Sequence, residues 1–318
     1  ISVLVGGAAL LSAPNAAAKA EVQRLGAEFW AWRAETQPAT SDDIPRIVRP
    51  QRWTPDWSPA AVAAQQKRLA AFEVEWKALA GKPRTAEERV DYRLVGSALS
   101  RVRWELDHVA AWRRQPHFYV AQALNPIFEV LLPPPPLERA RIDDVIRLLG
   151  NAPAILAAGR ANLTDMRGPF VDAALHQMAE VPASLDGMVA GIDPHASPAQ
   201  RERLKAARDK AVAAFADFGT FLKGKRAGLS ETTAVGRDSY RYFLGSVALY
   251  PYSPEDLLVM GRQEWARSVL FEELERSRNA GVADLPIGSS IDRVTAKLNA
   301  DELKVRDFLR EKNLLTVP

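Results

Sequence analysis

The stretch "DYRLVGSALSRVRWELDHVAAWRRQPHFYV", residues 91–120, decides the fold class. Val95, Leu99, Val102, Leu106 and Val109 recur at three- and four-residue intervals, which places them on one face of a helix about four turns long. Alternation of period two, the mark of a half-buried strand, is scarce here and in the rest of the chain. Pro116 ends the run, because proline has no N–H to give and its ring crowds the preceding turn. The reading is one helix over about 86–114, a break, and a second helix over about 117–132.

The same periodicity extends in both directions. Leu69, Phe72, Trp76 and Leu79 form another apolar face. Start signals recur at Ser58-Pro59, at Ser197-Pro198-Ala199-Gln200 and at Ser253-Pro254-Glu255-Asp256, where a hydroxyl precedes a first-turn proline, and Thr85-Ala86-Glu87-Glu88 reads as a capping box. Pro133 to Pro136 cannot propagate a helix and separate one ending near Leu132 from one starting near Leu137. Further helices are expected at about 19–35, 58–80, 138–149, 152–165, 169–180, 184–190, 198–223, 236–247 and 254–278, with a short pair in 288–312. Residues 36–57, rich in Pro and Trp, read as an extended wrap whose Trp53 and Trp57 need burial. The fold class is all-α, an elongated multi-helix bundle forming one wall of a cleft, with negligible sheet.

Composition narrows the function. The chain has 318 residues, 47% of them hydrophobic and 25% charged, an ordinary globular mixture. The net charge of +3 is spread with no basic block, so nucleic acid is not an expected partner. Cysteine is absent, which excludes disulfides, thiolate metal sites and thiol nucleophiles. Residues 1–18 join an apolar run, Ile1 to Leu11, to a small-residue Ala16–Ala18 site and read as the remnant of a secretory signal peptide. Residues 19–318 then form a single helical domain, expected to be the amino-terminal part of a longer protein. The expected location is periplasmic or secreted, with no membrane span beyond the signal segment.

No assembled active site is visible. Glu105 and His108 form a Glu-x-x-His pair, which would put both side chains on one helix face. A carboxylate-bridged di-metal bundle needs a second such pair, and there is none. Asp172, His176 and Glu180 share a face but span about 12 Å, too far to converge on one ion. His195 lies in a turn. There is no Walker loop, no G-x-S-x-G elbow, no Ser with an evident His partner and no H-E-x-x-H. No metal ligands are assigned, and no catalytic residues.

Five stretches in order, "FWAWRAETQPAT", the quoted 91–120 segment, "IRLLGNAPAILAAGRANLTD", "AVAAFADFGTFLKGK" and "AVGRDSYRYFLGSVALYPYSPEDLLVMGRQEWAR", resemble the bacterial domain-of-unknown-function family 885. That family is similar to helical zincin metallopeptidases, in which amino-terminal helices wall a cleft and a later helix carries H-E-x-x-H. The resemblance implies an exported zinc-dependent peptidase-like hydrolase of which this chain is the amino-terminal, substrate-cleft part. Zinc is expected in a carboxy-terminal half outside this sequence, and this chain holds no cofactor. The implied partner is a peptide-like substrate or the protein's own carboxy-terminal half. By this resemblance, 103–119 is wall and not metal site. His117 and Tyr119, after the Pro116 break, are cleft candidates, as are Tyr240 and Tyr242 with Arg237 or Arg241 as a carboxylate clamp. The rival reading is a non-catalytic periplasmic helical binding or scaffold module, in which Trp- and Tyr-rich surface holds a peptide or helix.

Overall fold

Residues 13–39, 47–81, 85–134, 136–283 and 290–316 are described by a computed structural model, with side chains from residue 20 onward. Most of the signal-like segment, residues 1–12, lies outside the described residues. Among the described residues twelve α-helices run in order: α1 Ala13–Thr36, α2 Pro59–Ala78, α3 Ala86–Arg103, α4 Ala111–Arg114, α5 Pro116–Leu131, α6 Arg139–Asn162, α7 Gly168–Ala179, α8 Val181–Ile192, α9 Pro198–Lys225, α10 Arg237–Tyr242, α11 Pro254–Arg278 and α12 Ile291–Glu311. π-helical turns at Trp104–Val109 and Phe243–Val247 follow α3 and α10. Among the described residues the only β pairing is an isolated bridge between Arg167 and Ser230, so the fold is all-α.

The predicted starts are chemically real. Ser58 Oγ accepts from Ala61 N with Pro59 in the first turn. Thr85 and Glu88 exchange hydrogen bonds as a capping box, 2.8 and 3.2 Å, and Ser197 and Gln200 do the same, 3.1 and 3.3 Å. Each cap satisfies amide donors that no helix can satisfy internally and contributes about 1 kcal/mol. Ser253 Oγ accepts from Asp256 N at the head of α11.

The chain divides into two compact units, Ile1–Asp256 and Leu257–Pro318. In the first unit, α5, α6 and α9 pack around Tyr119, Leu149, Leu156, Leu204, Phe218 and Leu222, all fully buried. Each large apolar side chain so buried stabilises the fold by roughly 1.5–3 kcal/mol. A second layer joins α1, α2 and α3 through Leu25, Phe29, Leu69, Phe72 and Leu99. Helix α6 passes close to α5 at Gly159, where a Cβ would lie 2.9 Å from Tyr119 Cγ and 3.2 Å from Phe218 Cε2. Trp57 at the end of the wrap is buried, whereas Trp53 is half-buried and donates its indole N–H to Glu35 O. In the second unit no residue of α12 is buried, and exposed charges pair along the helices, as in Arg276–Glu272 and Arg306–Glu302.

Several boundaries differ from expectation. Helix α6 runs unbroken through Pro153, where two helices were expected. Ile142, Val145, Leu149 and Ala152 before the proline and Ile155 and Leu156 after it are all buried, and this continuous apolar face outweighs one lost backbone hydrogen bond. Residues 291–311 form one helix where a short pair was expected. Helix α1 starts six residues early, at Ala13. The expected helix 86–114 is α3, a π turn and the single turn α4, and 236–247 is likewise α10 and a π turn.

Candidate functional site

Both π turns carry an extra residue in the helical ladder: Ala110 N donates to Glu105 O at 3.1 Å and Ala248 N to Phe243 O at 2.8 Å, each five residues back. Such bulges are frequent at functional sites. Each is followed by a non-glycine residue in the left-handed region, Ala110 at φ 46° and Leu249 at φ 52°. An L-residue there costs roughly 1–2 kcal/mol, so the surroundings must enforce it. Trp112 Nε1 donates to Leu106 O at 2.8 Å and Ser97 Oγ to Val247 O at 2.6 Å, fixing the backbone of each turn.

The two turns meet. Trp104 packs on Phe243, ring centroids 5.1 Å apart, and His108 stacks on Tyr242 at 4.4 Å. His108 Nδ1 lies 3.1 Å from Ser239 Oγ. Glu105 turns to other partners: Oε2 accepts from Arg33 Nη2 at 2.8 Å and Oε1 from Arg101 Nε at 3.2 Å. The Glu-x-x-His pair therefore serves two different elements, Glu105 engaging α1 and His108 engaging α10.

Beside Glu105 opens a cavity of about 480 Å³, within the range of small-molecule pockets. Its aromatic lining comes from Phe29, Trp30, Trp57, Trp104, Trp112 and Phe118, and its charged lining is Arg33, Arg101 and Glu105. Arg33, on the last turn of α1, is 4% exposed, so its charge is held inside the wall by Glu105. Gln65 of α2 also lines the cavity, is 5% exposed, and its Oε1 finds no hydrogen-bond partner among the described residues. The indole N–H groups of Trp57 and Trp112 are committed to Gln122 Oε1 and Leu106 O, so neither is free to donate to a ligand. This arrangement can bind and orient a molecule with one apolar body and a few polar groups.

The six expected site residues do not converge. Tyr119 is fully buried, donates to Trp112 O at 2.5 Å and accepts from Asn162 Nδ2 at 3.0 Å; burial pushes its phenol well above the usual tyrosine range. It ties α5 to α6 and belongs to the core. His117 is half-buried edge-on against Phe170, and burial lowers its pKa. Arg237 and Arg241 clamp a carboxylate, but it is the chain's own: Arg237 Nη2 lies 2.5 Å from Glu255 Oε1 and Arg241 Nη2 3.2 Å from Oε2. Tyr240 is exposed. Tyr242 stacks on His108, reaches Ser100 O at 3.4 Å and lines a groove with Trp76, Tyr92 and Arg103; burial raises its pKa.

Sequence reasoning missed Arg33, Gln65, Glu105 as an ion-pair partner, and Ser239 beside His108. Arg101 and Glu105 stand four apart on a helix, the usual spacing of an ion pair, and that much was available. Nothing local links Arg33 to Glu105, 72 positions away, or Ser239 to His108, 131 positions away.

Fold and site together define an all-α protein with an aromatic-walled cavity beside the first π turn. Among the described residues no group of three or more His, Cys, Asp or Glu is placed to hold a metal ion, and no helix is long and apolar enough to cross a membrane. The chain belongs to DUF885, a family of bacterial proteins of unknown function, whose sequence profile matches residues 38–314. No curated protein matches the sequence. A solved structure described as "a putative lipoprotein of unknown function" from Shewanella oneidensis is similar, with a TM-score of 0.59 and 16% identity over 98% of this chain. That match covers 59% of the solved chain, so this chain spans less than two thirds of its length.

Proposed function

We propose that this chain is the amino-terminal, helical, substrate-contacting part of an exported zinc-dependent peptidase-like hydrolase. The observation that carries the reading is the cavity beside Glu105, where aromatic walls, a buried arginine and the Gln65 side chain line one space of ligand size. Five ordered motifs resembling a family similar to helical zincins supply the reaction class. Export is supported by the signal-like start and by the lipoprotein description of the similar structure.

The described residues do not fit a zinc ion, so no hydrolytic step is derived through one. The contribution argued for this chain is to bind a peptide-like substrate and orient it. Trp and Phe faces take an apolar side chain, and Gln65 and the arginines take polar groups of the main chain.

The test is an assay of the protein as its source makes it against a library of internally quenched peptides, with zinc content measured alongside. Hydrolysis that stops with a chelator and returns with zinc, with KM raised in Gln65→Leu, is the expected result. A metal-free protein that leaves every peptide intact overturns the proposal. The second reading, a helical binding or scaffold module, rests on the same aromatic-walled cavity, and it predicts saturable peptide binding without cleavage.

A further inference from the structure

We infer that the cavity beside Glu105 recognises a free carboxylate attached to an aromatic or other bulky apolar group and carrying an adjacent N–H, as in an N-acylated aromatic amino acid. The inference rests on the functional reading above and deepens it, since this is the chemistry of a peptide's carboxy-terminal residue.

Charge is the first argument. The charged side chains lining the cavity are two guanidiniums and one carboxylate, a net single positive charge. Glu105 cannot neutralise both arginines. It gives one oxygen to Arg33 and one to Arg101, and each guanidinium donates a single hydrogen bond to it, leaving most of its N–H donors for another acceptor. A carboxylate is the anion whose two oxygens match that fork, and a second cationic group would meet repulsion from both. Glu105 also prevents the site from favouring a dianion, because such a ligand would bring one oxygen charge towards the carboxylate already held there.

Hydrogen bonding is the second argument. Gln65 is almost wholly buried, and its Oε1 has no partner among the described residues. Leaving such an acceptor unpaired costs about 1–3 kcal/mol, so it is either a standing cost or a waiting acceptor. That oxygen is covered in the structure, and a rotation of the Gln65 side chain, which lines the cavity, would bring it to an N–H on the carbon that bears the carboxylate, the missing donor. The third argument is shape and surface. Phe29, Trp57, Trp104 and Phe118 present rings to the same space, which suits a flat apolar body.

The test is a titration of the full protein, followed by intrinsic tryptophan fluorescence and confirmed by calorimetry, with N-acetyl-L-phenylalanine, its carboxamide, and 3-phenylpropionate. The acid should saturate, with the carboxamide about tenfold weaker for want of the charge and phenylpropionate several-fold weaker for want of the N–H. Arg101 is largely exposed, so Arg101→Gln should fold normally and reduce the preference for acid over carboxamide. Gln65→Leu should abolish the difference between N-acetylphenylalanine and phenylpropionate, with circular dichroism confirming the fold. Absence of a saturable signal from folded protein, equal binding of acid and carboxamide, or unaltered preferences in the two variants overturns the inference. Peptide hydrolysis without acid binding would sink this inference alone, and acid binding without hydrolysis would sink the peptidase reading alone.

Discussion

His108 lies almost parallel to the ring of Tyr242, centroids 4.4 Å apart and planes 18° from coplanar, and so joins the π turn after α3 to the one after α10. Ser239, one turn earlier on α10, stands within hydrogen-bond distance of the same imidazole. The contact links two segments that both hold strained left-handed residues, which makes it a natural clamp on that strain.

A double-mutant cycle on His108→Ala and Tyr242→Ala measures this clamp. Stacked aromatic pairs contribute about 0.5–1.5 kcal/mol beyond their buried area, and a coupling energy of that size is expected from urea unfolding. Faster amide exchange at 243–249 in either single variant is the accompanying signature. Strictly additive variants would mean that the two π turns are held independently.

The ion pair in the cavity wall should show an asymmetry. Glu105→Ala leaves Arg33 buried and uncompensated, a change that typically costs about 3–5 kcal/mol. Arg33→Met leaves Glu105 with Arg101 and partial access to water, and should cost about half as much or less. Equilibrium unfolding of the two variants decides it, and equal losses would contradict the account.

Gly159→Ala tests the packing of α6. The added methyl would press on Tyr119 and Phe218, neither of which has free space to retreat into, since both are fully buried. A loss of about 1–3 kcal/mol is expected from overpacking, although alanine is the better helix former by about 1 kcal/mol. A more stable variant would show that the helices can separate freely at this point.

The pH dependence of stability should carry a contribution from His117. Burial lowers its pKa in the folded state, so the unfolded chain takes up the proton first as pH falls. The stabilising contribution is complete above the unfolded value of about 6.5 and is lost progressively as pH falls from there through the lower folded pKa. Urea midpoints at pH 7.5 and 5.5 should therefore differ less in His117→Leu than in the parent protein. An unchanged difference would place the pH response on other groups.

Much of the fold was legible in the residues. Apolar side chains at three- and four-residue spacing can be buried together only by a helix, and hydroxyl, proline and glutamate at fixed offsets satisfy or avoid the free amides at its start. Thr85, Ser197 and Ser58 thus mark starts that the structure bears out within a residue. The break expected between 149 and 152 is absent for the complementary reason. Pro153 locally opposes a helix, but the faces on either side of it, Leu149 and Ile155 among them, share one core, and packing outweighs the lost bond.

The site was not legible in the same way. A π turn shifts the helical register by one residue, so Glu105 and His108, on one face by α-helical spacing, engage different elements. Arg33, Gln65 and Glu105 carry no signature that ties them together, because they belong to three separate segments that line one cavity only after packing. The sequence by itself determined that the chain is helical, where most helices begin, and which family it joins, since these depend on short-range spacing and ordered motifs. Only the tertiary structure decided which polar groups share a cavity and that Tyr119 belongs to the core, because burial and long-range contact arise when helices distant in the chain are pressed together.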